Sequence, residues 1–133
     1  MSDFDLEIKI GFLTEALENL NDVDGYFKKH ETAQDAKPLL DKMFFVAHNL
    51  KGGSLSVGFK EIAELTHQLE SLVLKIKKED LPLTSDIIAI LLRSNQRLVE
   101  MLSALQGNQT ATFDNKDFLT AIQSCYSKVN KPA

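Results

Sequence analysis

Residues 38–59 read PLLDKMFFVAHNLKGGSLSVGF. Leu40, Met43, Phe44, Ala47 and Leu50 recur at three- and four-residue intervals, the spacing of one helix face. Pro38 suits a first helical turn, where its missing N–H costs little. Into this pattern the chain sets His48, Lys51, Gly52 and Gly53. Each glycine weakens a helix interior by roughly 1 kcal/mol relative to alanine. The double glycine and the SLSVG after it predict a helix end within about a turn of Gly53.

The flanking segments keep the helical period. Upstream, Leu6, Ile10, Leu13, Leu17, Leu20 and Phe27 form one stripe, on a helix expected to continue through the poor helix formers NDVDG with a bend or fraying near Gly25. A polar stretch, HETAQDAK, separates that helix from the next. Downstream, Ile62, Leu65, Leu69, Leu72, Val73 and Ile76 form a third stripe, which KKEDLPL ends at Pro82. Thr84, Ser85 and Asp86 supply a cap and an acidic first turn for a fourth helix bearing Ile87, Leu91, Leu98, Leu102 and Leu105. After the loop QGNQTATFDN, Asp114 can cap a fifth helix with Phe118, Ile122, Cys125 and Val129, and the tail NKPA reads as frayed. No segment alternates as a strand does. The expected fold is all-α: an antiparallel four-helix bundle with a fifth C-terminal helix, and helices at roughly 4–30, 37–54, 59–78, 84–106 and 114–128.

The 133 residues suit one domain, 1–133, and 44% hydrophobic residues can fill a core. The net charge of −4 argues against a general nucleic-acid binder. The basic clusters, Lys28–Lys29 and Lys75 with Lys77–Lys78, read as solvated helix ends, and His30 as a residue favoured by the helix dipole. No apolar run approaches the ~18 residues of a membrane span, and the start MSDFDLEIKI lacks a signal-peptide pattern. These features lead to the expectation of a soluble, cytoplasmic protein without membrane or nucleic-acid partners. The single cysteine, Cys125, excludes an internal disulfide and reads as a small core side chain.

On a wheel of about 100° per residue, Asp41, Phe45, His48 and Gly52 align beside the apolar stripe of the second helix. Lys51 is one turn beyond His48. The glycines would let another protein's backbone, or a phosphate, approach the imidazole, so helix stability is exchanged for access. Thr66, His67 and Glu70 interrupt the apolar pattern of the third helix, and antiparallel packing could bring Glu70 to His48. A carboxylate on one imidazole nitrogen fixes the tautomer and makes the other nitrogen the nucleophile.

AHNLKGGSLSVGF resembles the signature of histidine-containing phosphotransfer domains: His-x-x-Lys-Gly, a second Gly and an aromatic. IAELTHQLESLV and FLTEALENLNDV resemble helices of the phosphotransfer domain of CheA-type chemotaxis kinases, and the likeness covers nearly the whole chain. The resemblance implies that His48 accepts a phosphoryl group, that Lys51 sits beside it, that Glu70 hydrogen-bonds His48, and that His67 joins the same network. Gly52, Gly53 and Gly58 would leave room for partners, and the exposed Phe45 would belong to the docking surface. The implied partners are a CheA-type kinase catalytic domain and response-regulator receiver domains. No cofactor is expected in this chain, since ATP and Mg would belong to the separate kinase domain, and a monomer is expected. The likeness leaves open a free-standing protein or an N-terminal domain of a larger kinase.

Two other classes compete. A di-metal bundle site needs several inward carboxylates and paired Glu-x-x-His motifs, and this chain offers one reversed pair, His67-x-x-Glu70, plus His48. A scaffold that docks receiver domains without phosphoryl chemistry would not need the His48, Lys51 and Glu70 set.

Overall fold

The computed structural model describes residues 3–29 and 36–130. It contains α1 (Asp3–Lys29), α2 (Lys37–Val57), α3 (Lys60–Lys77), α4 (Ser85–Gly107) and α5 (Lys116–Asn130), with no strand among the described residues. His30, most of HETAQDAK and the last three residues of the tail fall outside the described residues, as does the side chain of Val129.

The apolar stripes become one core. Leu13, Leu20, Leu39, Leu65, Leu72, Leu91, Leu98, Leu102 and Ile122 are almost completely buried, and Cys125 lies among them. α2 and α3 form the most extensive helix pair, α1 packs on α2 and α4, and α5 lies across α3 and α4. The α3 and α4 stripes are buried at every position expected. Thr84 caps α4, its hydroxyl accepting the Ile87 N–H at 3.2 Å, and Pro38 occupies the first turn of α2.

α1 continues through Gly25 as expected, because Val23 and Phe27 are buried on its inner face and hold that turn. Three local expectations change. The inward stripe of α1 is Leu13, Ala16, Leu20, Val23 and Phe27, whereas Ile10 is 42% exposed and Leu6 half-buried, since the first turns lie past the core. α2 continues to Val57, three residues beyond the expected limit. Its end is set by Gly58, whose φ of 84° is the left-handed conformation that closes a helix, while Phe59 N–H donates back to Ser54 C=O at 2.8 Å. α5 starts at Lys116, with the Asp114 carboxylate accepting the Lys116 N–H at 2.9 Å.

Two polar side chains with partners sit inside the core. Asn95 is 2% exposed and donates to Leu20 C=O at 3.3 Å. Thr66 is fully buried and donates back to Ile62 C=O at 2.7 Å. Both satisfy the requirement that a buried polar group find a partner.

Candidate functional site

Antiparallel packing of α2 and α3 brings Glu70 under His48. The Glu70 side chain is 15% exposed, and its two oxygens divide their roles. Oε1 accepts from Lys51 Nζ at 3.2 Å. Oε2 lies 3.4 Å from His48 Nδ1 and makes no hydrogen bond. The separation is inside ion-pair range but outside good N–H···O geometry. A small rotation of the imidazole would close it. Among the described residues, the other buried side-chain oxygens lacking a hydrogen bond are hydroxyls of Ser54, Ser94 and Tyr126, so Glu70 holds the one carboxylate oxygen in that state.

The His48 side chain is 63% exposed. With Nδ1 directed at a carboxylate, the favoured neutral tautomer is Nδ1–H, which leaves the Nε2 lone pair free. Lys51 holds the other oxygen of Glu70 and orients the carboxylate. Lys51 is thus anchored through Glu70, one turn beyond His48 on α2.

The remaining candidates separate. His67 is exposed and makes no hydrogen bond or ion pair with any described residue, so it does not join the network. It stands three residues before Glu70 on α3, and the turn of the helix points it to solvent while Glu70 points to α2. Phe45 is 59% exposed. It lines a groove of about 290 Å³ between α1 and α2, together with Phe12, Asn19, Asn49 and Gly53. Gly52 faces open space, with nothing near the position of a Cβ. Gly53 is different: a Cβ there would collide with the Phe12 ring, so this glycine serves the packing of α1 rather than access. Gly58 caps α2 ten residues past His48, about 15 Å along the axis, and its glycine is explained by its positive φ.

Sequence reasoning missed Leu55. It is 63% exposed, seven residues after His48 and therefore on the same face, with the bare Gly52 between them. The helical wheel carried this signal, but the expectation that α2 ended at 54 hid it. Among the described residues, no group of three or more His, Cys, Asp and Glu side chains is arranged to hold a metal ion. No helix among them is long and apolar enough to cross a membrane.

Comparisons with known proteins identify relatives of this chain. A family model described as the Hpt domain matches residues 7–108. The chain is 31% identical over 109 residues to the chemotaxis protein CheA of Klebsiella aerogenes, across 81% of this chain and 17% of that protein. It is 29% identical over 111 residues to the sensor histidine kinase CheAY of Helicobacter pylori, across 84% of this chain and 14% of that one. The chain therefore spans less than a fifth of the length of these curated relatives. Among solved structures, the phosphorylated P1 domain of CheA3 in complex with CheY6 from R. sphaeroides shares the fold, with a TM-score of 0.77 at 20% identity. That match covers 92% of this chain and 95% of the other.

Proposed function

The chain belongs to the Hpt domain family, and we propose that it carries phosphoryl groups on His48 in chemotaxis-type two-component signalling. The observation that carries this reading is the Glu70 carboxylate, held by Lys51 on one oxygen and presented with the other, 3.4 Å away, to His48 Nδ1. That arrangement supports Nε2 as the nucleophile. Nε2 attacks the γ-phosphorus of ATP held by a separate CheA-type catalytic domain. The N–P bond forms, the bond to the β-phosphate oxygen breaks, and ADP leaves. The imidazole keeps its Nδ1 proton and gains positive charge, which Glu70 offsets. In the second step an aspartate oxygen of a receiver domain attacks the same phosphorus, the N–P bond breaks, and the lone pair returns to Nε2.

The physical demands of this chemistry are positioning and charge stabilisation. A rigid helix supplies the first. Lys51 supplies the second for a phosphoryl group of about −2 charge. The bare Gly52 and the exposed Phe45 and Leu55 around His48 support a face open to protein partners. In this reading residues 1–133 form a single phosphotransfer domain that works in the cytoplasm without a cofactor of its own, nucleotide and Mg being held by the kinase domain.

The test uses the purified chain with ATP, Mg and a CheA-type catalytic domain, assaying acid-labile, alkali-stable phosphate. His48→Gln runs beside it. Labelling of the wild-type chain alone, followed by transfer of label to a receiver domain, is the expected outcome. A folded chain that stays unlabelled with several competent kinases, yet binds receiver domains, would replace this reading with a docking module.

A further inference from the structure

Glu70 contacts His48 at a single atom. One contact does not fix an imidazole, because the ring can still swing about the line joining Nδ1 to the carboxylate. With its side chain 63% exposed, His48 has room to do so. A second contact lies on the ring face. Phe44, one turn earlier on α2, places its ring 6.1 Å from the imidazole centroid with 17° between the planes. That is the range of an offset stack.

Phe44 is itself held. Lys77 of α3 sets its ammonium 4.8 Å from the centre of the Phe44 ring, within cation–π range. The ammonium is in turn fixed by Asp41, 3.0 Å away. The other Asp41 oxygen takes Lys37 at 3.3 Å. The Lys77 hydrogen bond chiefly holds the Asp41 carboxyl below its ordinary range, burial opposing it and Lys37 adding to it, so this anchor stays ionised at neutral pH. The chain of contacts runs from Asp41 through Lys77 and Phe44 to the imidazole.

We propose that Phe44 is a positioning residue for His48: its ring, clamped by Lys77, fixes the imidazole plane while Glu70 fixes Nδ1. Two contacts of different kind, one edge and one face, define the direction of the Nε2 lone pair before a partner arrives. The proposal rests on His48 being the phosphoryl acceptor for its consequence, but the contact itself is testable without phosphate. Loss of a preset direction lowers transfer because misplacement of reacting atoms costs rate steeply.

The experiment takes the full chain, ¹⁵N- and ¹³C-labelled, and measures the His48 χ1 couplings and ring ¹⁵N shifts. Wild type, Phe44→Tyr, Phe44→Leu and Lys77→Met are compared, and the kinase labelling rate is recorded for each. Wild type and Phe44→Tyr should show one rotamer and the Nδ1–H tautomer. Phe44→Leu, which keeps apolar volume but has no flat face, should average between rotamers and label roughly tenfold more slowly at unchanged helicity. Lys77→Met should move both readouts the same way by less. Wild-type couplings and shifts in Phe44→Leu overturn the proposal whatever the labelling rate. Should Phe44→Leu fail to fold, Lys77→Met decides: rotamer averaging supports the clamp and wild-type couplings overturn it. Couplings that respond in a chain that no kinase labels would keep the contact and remove only its role in transfer.

Discussion

α3 carries one polar cluster at its N-terminal end and another past its middle, and the two are built on opposite principles. At its N-terminal end, Glu61 accepts the Phe113 N–H at 3.2 Å, and its backbone C=O accepts from Asn115 Nδ2 at 3.2 Å. The Asn115 oxygen takes Arg97 Nε at 3.0 Å, and Arg97 Nη2 reaches Asp114 C=O at 3.2 Å. The guanidinium lies over both Phe113 and Phe118. No buried side-chain nitrogen or oxygen of these residues lacks a hydrogen bond, and the result is a lock that holds α5 on α3 and α4. Toward the other end, Glu70 is tied on one oxygen and leaves the other facing His48 without a hydrogen bond. The first cluster pairs its buried polar atoms within the fold. In the proposed phosphotransfer reading, the second leaves open the one oxygen that the reaction uses.

The sharpest way to break this contrast is Glu70→Gln. The amide keeps the shape and an acceptor for Lys51 but carries no charge to offset a phosphorylated imidazole. Labelling of His48 should fall by roughly a hundredfold, the scale of losing one group that stabilises developing charge, while the unfolding midpoint in urea moves little. A rate within twofold of wild type would mean that the open oxygen has no role and that the contrast is one of packing alone.

Asn115→Ala tests the other side. Asn115 is 5% exposed and joins Arg97 to the Glu61 backbone, so its removal leaves the Arg97 Nε–H without a partner and takes the second donor from the Glu61 carbonyl. The expected loss is about 2 kcal/mol, seen as a lower urea midpoint with m unchanged. Labelling per folded molecule should match wild type. A chemical defect as large as that of Glu70→Gln would show that the two clusters of α3 are coupled and not separate.

How much of this was legible follows the physics of each signal. The five helices came from periodicity, which integrates over many residues, and the α3 and α4 stripes were right at each position. The pairing of His48 with Glu70 and Lys51 came from helix phase plus antiparallel order. The Asn115 lock did not come, because it joins residues far apart in sequence through one amide with no periodic mark. Asn95 was hidden for the same reason: one buried amide, paired with a backbone carbonyl on another helix, leaves no pattern. His67 was misjudged because a residue three positions from Glu70 lies about 60° away around the helix, enough to turn it from the helix interface to solvent. The Phe44 stack depends on a rotamer, and rotamers are set by packing.

The double glycine separates the two principles at adjacent positions, and it gives the smallest but most discriminating prediction. Gly52→Ala places a methyl group in open space. It should raise stability by about 0.5–1 kcal/mol, the helix-interior difference between the two residues. Gly53→Ala gains the same propensity but drives the methyl group into the Phe12 ring, whose own neighbour is Phe59 at 6.3 Å between centroids. Overpacking of this kind costs about 1–3 kcal/mol, so the net change should be a loss of about 1 kcal/mol. The two variants should therefore shift the urea midpoint in opposite directions. Their transfer rates should be ordered the other way: Gly52→Ala, next to His48 on the open face, should slow transfer to a receiver domain, and Gly53→Ala should leave it near wild type. If both substitutions raise stability, Phe12 swings aside easily, and access to His48 is then the reason for both glycines. If Gly52→Ala transfers at the wild-type rate, partners do not approach across that turn, and the docking face must lie toward Phe45 and the α1 groove.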